Sequence, residues 1–218
     1  MDWSEHFQRW VDASQRPGPG AHLAMQDARK RVKQNTPADW EWLSTALGDD
    51  KRKRFVALLF RAQPVPKRLL PAFLLAAVLE RNPSLNRMYV EPCVRSWGGG
   101  YVNRRLLRYL RTGTNEERAG AVSAFYWATA NPRNEDLTSL RGEIRVELLR
   151  EFTENPEVLV LQRIVPLLRL DAGAYPKECE HLVGRAIAIG RSHSDEYIRH
   201  RIEVQLGAGG PFRPIPSA

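Results

Sequence analysis

A chain of 218 residues with 43% hydrophobic residues can bury one large core or a short array of repeats, which excludes an intrinsically disordered protein. Two cysteines, Cys93 and Cys179, cannot build a disulfide framework and point to a reducing compartment. The net charge of +8 is uneven: residues 1–111 carry 20 Lys and Arg against 10 Asp and Glu, and residues 112–218 carry 13 against 15. A basic field over the first half can steer an acidic partner or a nucleic acid. Of the 33 basic residues 27 are Arg, a bias that base composition also produces, so the field alone does not decide between them.

Apolar periodicity predicts helix throughout, with proline and glycine as the breaks. The opening MDWSEHFQRW has acidic residues and no long apolar run, unlike a secretory leader. It predicts a short helix over 3–14 with Trp3, Phe7 and Trp10 on one face. Helices are then expected over 20–34, 37–47, 50–62, 66–81 and 84–97. The stretch Leu69–Leu79 is the longest apolar run; Pro71 interrupts it and it is too short to cross a bilayer. These readings together describe a soluble cytoplasmic protein without a membrane segment.

Three glycines, Gly98–Gly100, stand before a helix expected over 101–111. A phosphate loop needs a preceding strand and a Gly-Lys-Ser/Thr or G-x-G-x-x-G frame. Here a helix precedes, no Lys is present, and a glycine-permitted reversal between helices explains the run. In the helix after it, Val102, Leu106, Leu107 and Leu110 share one side and Arg104, Arg108 and Arg111 the other, an amphipathic surface helix. Asn115–Ala130 follows, with Asn115 as the expected N-cap, Glu116 and Glu117 in its first turn, and a body apolar nearly all round. Such a helix is expected between neighbours on two sides. Further helices are expected over 135–154, 157–170, 175–191 and 195–206. The tail from 208 to 218 is rich in Gly and Pro and is expected to be disordered.

The second helices share a loose pattern: Arg at one position, a small or apolar residue three later, an apolar residue seven later. Arg87, Val90 and Val94 fit, as do Arg118, Ala121 and Phe125, and Arg199, Ile202 and Leu206. Arg54 and Ala57 fit only in part, and the fourth of the five copies falls near Leu159, where the arginine is missing. The copies lie 31 to 41 residues apart, a period typical of helical solenoids.

On these residues the chain resembles the HEAT-like (armadillo/HEAT-type) helical repeat family. DEYIRHRIEVQLG (195–207) carries the resemblance best and NEERAGAVSAF (115–125) second best; together it covers about residues 37–207. The chain is also similar to small stand-alone bacterial HEAT-type proteins. The resemblance implies an all-α, right-handed solenoid of helix pairs whose second helices line a concave surface. Its roles would be scaffolding and binding, immunity or adaptor functions among them. The expected domain is 1–207, with capping helices over 1–36 and repeats over 37–207, since each helix pair is too small to bury its own apolar face.

No chemistry stands out. His6, His22, His181, His193 and His200 make no zinc spacing, and Cys179 and His181 lie on different helix faces. No nucleophile motif occurs, and the acidic pairs 49–50, 116–117 and 195–196 all sit at helix starts, where the helix dipole explains them. The reading is therefore non-catalytic, without metal or cofactor, with a protein as the expected partner, an acidic one included. Candidate binding residues are Arg87, Glu91 and Arg95, a charged stripe at i, i+4 and i+8, and Trp127, a possible anchor flanked by small residues. The structural alternatives are a solvated face for the stripe and burial against the next repeat for Trp127. Nucleic-acid binding by the basic half is the second functional reading, and a DNA glycosylase of HEAT-like fold its enzymatic form; the glycosylase motifs are not matched residue by residue.

Overall fold

Cap residues and prolines set the helix limits. The computed structural model describes residues 1–129 and 137–207. Its helices are α1 (Trp3–Ser14), α2 (Gly20–Arg31), α3 (Pro37–Leu47), α4 (Lys53–Leu59), α5 (Leu70–Val78), α6 (Arg87–Trp97), α7 (Gly99–Thr112), α8 (Asn115–Thr129), α9 (Thr138–Glu154), α10 (Val158–Ile164), α11 (Glu180–Ser192) and α12 (Glu196–Gln205). Among the described residues there is no strand, and the fold is all-α. Asp2 caps α1 in a reciprocal box with Glu5, and Thr36 caps α3 in the same way with Asp39. The expected tail, 208–218, lies outside the described residues.

Several expected spans are shortened: 20–34 is α-helical only to Arg31 and ends in the 3-10 turn Val32–Gln34, and 50–62 is α-helical only over Lys53–Leu59. Segments expected as helix from 66 and 175 begin instead with single 3-10 turns, Lys67–Leu69 and Lys177–Cys179, each directly after a proline. The segment 157–170 is α-helical only to Ile164. Pro166 has no N–H to continue the ladder, and the chain tightens into the 3-10 turn Val165–Leu167. At the start of α8 the N-cap is Thr114, not Asn115. The Thr114 hydroxyl accepts the Glu117 N–H, the Glu117 carboxylate accepts the Thr114 N–H, and the Asn115 side-chain oxygen Oδ1 instead accepts a hydrogen bond from the Asn155 side chain.

The helices contact one another in pairs: α1 with α2, α3 with α4, and so on to α11 with α12. First helices also meet first helices, in the steps α1–α3–α5 and α7–α9–α11, and second helices meet along α2–α4–α6–α8–α10–α12. Between α5 and α7 the first-helix series opens into a groove, and α5 packs on α8 instead. The crossing of α5 and α8 is close because Gly120 has no side chain: a Cβ there would lie 1.6 Å from the Val78 carbonyl oxygen. Helix α8 therefore touches α5, α6, α7 and α10, which accounts for its apolar character all round.

The core runs the length of the molecule. At its first end Trp3, Phe7 and Trp10 gather on Phe55 of α4, with ring centroids 6.3, 5.7 and 5.6 Å away, as their shared face predicts. Gly98 ends α6 and starts α7 with φ +81°, a conformation that a side chain disfavours. The glycine run is thus a hinge in geometry, with Gly98 as the residue that requires glycine.

Candidate interaction surface

The stripe residues of α6 divide. The Arg87 Nε donates to Glu91 Oε1 at 2.6 Å, and the Arg87 guanidinium lies over the Trp127 ring, 5.3 Å from its centroid. Trp127 is half-buried and its Nε1 donates to the Pro83 carbonyl at 3.2 Å, in the turn between α5 and α6. The fold therefore brings Arg87, Glu91 and Trp127 together across α6 and α8. Arg95 points elsewhere: its Nη2 donates to the Arg61 carbonyl at 2.6 Å, beyond the C-terminus of α4, where a cation also suits the helix dipole. Arg87 and Glu91 form a solvent-accessible pair, a type that contributes about 0.2–1 kcal/mol to stability. Arg87, Glu91 and Arg95 line one wall of a cleft of about 300 Å³ between α4 and α6, so Arg95 stays beside the other two while serving α4.

Two further clefts continue along the second helices. One of about 260 Å³ runs from Pro83 and Trp127 past Tyr126 to Leu167 and Tyr197. The other, of about 500 Å³, lies where the end of α5 meets α8 and α10, with Leu79, Ala119 and Leu159 as its apolar lining. Ser123 and Arg163 line both. Around them stand large apolar side chains left in solvent: Tyr126 is 62% exposed, Tyr197 45% and Leu159 41%, with Leu79 and Leu167 little less. Single exposed apolar residues need no explanation, but this group borders two clefts that share Ser123 and Arg163, and it draws on α8, α10, α12 and the chain just after α5 and α10. Arg163, half-buried at its centre, has no hydrogen bond or ion pair among the described residues.

Sequence reasoning reached Trp127 but not Tyr126, Leu159, Arg163 or Tyr197. Leu159 did carry a signal, since it stands where the repeat pattern places an arginine. In α8 and α12 that arginine turns back onto the chain before its helix. Arg118 Nε donates to the Gly113 carbonyl and Arg199 donates to the carbonyls of His193 and Ser194. In α10 the turn is held by Asn155, whose side-chain oxygen accepts the Glu157 N–H, and Leu159 is left facing the cleft.

Cys93 and Cys179 are both buried free thiols, and burial pushes the Cys93 thiol far above its ordinary range. Among the described residues no cluster of three or more His, Cys, Asp or Glu is placed to hold a metal ion, and no helix is long and apolar enough to cross a membrane. No protein-family model matches the chain, and neither a curated protein nor a solved structure matches it significantly.

Proposed function

We propose that the chain is a non-catalytic interaction scaffold, an α-solenoid of HEAT-like helix pairs that binds a partner protein through the face of its second helices. The paired contacts and the two helix series support the solenoid reading. The observation that carries the binding reading is the exposed group of Tyr126, Leu159, Leu167 and Tyr197 around the unpartnered Arg163. Burying such a group removes apolar surface from water, at roughly 25 cal/mol per Å², and an arginine at its centre supplies a directional contact. Trp127, held by Pro83 and covered by Arg87, acts as a fixed wall of the cleft and not as a free anchor.

The test is site-specific photocrosslinking in an extract of the native host, with a photoreactive residue replacing Tyr126 or Tyr197, and Arg150 of α9 as the off-face control. A discrete product from both face positions, absent at Arg150 and lost with Leu159→Asp, is expected. The same products from Arg150, or none from either face position, would refute the reading.

A further inference from the structure

The groove between α5 and α7 has a different chemistry. Its volume is about 480 Å³ and it shares no lining residue with the clefts of the second-helix face. One wall is apolar, made by Leu70, Pro71 and Leu74 of α5. The other is the α7 face that carries Tyr101, Arg105 and Arg108, with Lys67 on the turn before α5. Arg105 is held in place: its Nη2 donates to the Tyr101 hydroxyl at 2.8 Å and its guanidinium lies 5.2 Å from that ring's centroid. Lys67 and Arg108 have no carboxylate partner among the described residues. The one acid in the lining, Glu117, already accepts the Thr114 N–H.

We propose that this groove binds an extended acidic peptide segment in which carboxylate and apolar side chains alternate. Alternate side chains of an extended chain point to opposite sides, so one set meets the cations of α7 while the other meets Leu70, Pro71 and Leu74. The α7 face from Tyr101 to Thr112 is about 16 Å long at 1.5 Å per residue, the span of about five extended residues. Three cations against one carboxylate give the groove the charge complementary to such a segment. Glu117 repels phosphate and carboxylate alike, but its second oxygen, Oε1, can accept a backbone N–H, which a peptide offers and a phosphate chain does not. The Tyr101 ring has Arg105 on it and Trp97 beside it at 6.1 Å, so it does not offer the open faces on which bases stack. The peptide reading is therefore favoured over single-stranded nucleic acid. It does not depend on the second-helix face, and each can fail alone.

The experiment is fluorescence anisotropy with the whole chain, at about 0.15 M salt. The probe is a labelled pentapeptide of alternating glutamate and leucine, compared with its glutamine counterpart and a thymidine pentanucleotide. Saturable binding of the glutamate peptide is expected, weakened about tenfold or more by Lys67→Glu or by Arg108→Glu. Arg104→Glu, an equal charge change on α7 outside the groove lining, is expected to weaken it about twofold or less, with far-ultraviolet circular dichroism unchanged in all three variants. Four results would overturn the proposal: no saturable binding, equal binding of the glutamine peptide, tighter binding of the pentanucleotide, or equal loss with Arg104→Glu.

Discussion

Gly120→Ala puts one methyl group into the closest helix crossing of the fold. The new Cβ would stand 1.6 Å from the Val78 carbonyl oxygen, 2.4 Å from its carbon and 2.7 Å from its Cα, all backbone atoms that cannot rotate away. Carbon–oxygen contacts below about 3 Å are not tolerated, so α5 and α8 must part by more than 1 Å, and gaps of that order forfeit about half of the dispersion energy at a contact. Overpacking of this kind costs about 1–3 kcal/mol and more where backbone moves, and a shift of α5 also disturbs its contacts with α3 and α6. Helix propensity offsets part of it, since Ala is favoured over Gly by about 1 kcal/mol. Because the clash is with backbone, the gross cost lies above that range, at about 3–4 kcal/mol, which leaves a net loss of about 2–3 kcal/mol, or about 4–12 °C in Tm for a chain of this size. Gly184→Ala is the control: Gly184 is exposed on α11 with no atom near its missing Cβ, so the change should be neutral or stabilising by up to about 1 kcal/mol. Thermal and urea unfolding followed by far-ultraviolet circular dichroism read both variants. Equal stability of the two would refute the close α5–α8 crossing.

Gly98→Ala is expected to cost about 1–2 kcal/mol in urea unfolding because of its positive φ, and an unchanged midpoint would reject the hinge geometry. Arg118 donates to Glu151 at 2.8 Å and to the Gly113 carbonyl, tying the start of α8 to the end of α9. Arg118→Ala should cost about 2–3 kcal/mol because it leaves the buried Glu151 carboxylate short of a partner, while Arg87→Ala should cost about 1 kcal/mol or less; the reverse order would contradict these assignments. Burial, with the N-terminal amine, Arg31 and Arg9, holds the His6 imidazole below its ordinary value of 6.5. A group lowered in this way contributes fully above that value and loses its contribution as pH falls from it through the lower folded value, so stability should drop as the solution is acidified below 6.5 and drop less in His6→Gln; identical slopes would exclude His6.

The helices were legible because their signals are local. Periodicity, capping residues and prolines act within a few positions, and α1 and α3 have the limits that their sequence shows. Errors arose where two local signals compete. Thr114 and Asn115 are both good caps, and the choice fell to Thr114 because Glu117 lies three residues on and because Asn155, distant in sequence, engages Asn115. The candidate site was legible only in part, since exposure depends on what neighbours cover. Tyr126 and Trp127 are adjacent in sequence and both aromatic. Trp127 is covered by Arg87 and the turn at Pro83, and Tyr126 is not.

The copy of the repeat pattern that lacks its arginine, at Leu159, lies on the exposed apolar surface. A second helix that follows its partner after a short turn leaves carbonyls at the first helix's end without helical partners. Arg118 and Arg199 meet part of that need by reaching back five or six residues, which commits the first turn of α8 and of α12 to the scaffold. The turn before α10 is held differently: the Asn155 side chain donates to the Glu151 carboxylate and the Asn115 side-chain oxygen and accepts the Glu157 N–H, and among the described residues no arginine of α10 reaches back. The first turn of α10 is then free of a structural task, and Val158 and Leu159 can remain apolar and exposed. Leu159 thus stands exposed at the position where Arg118 of α8 and Arg199 of α12 turn back onto the chain, whereas Arg87 of α6 pairs with Glu91 instead. The exposed Leu159 singles out α10 as the helix about which the partner-binding reading is most open to test.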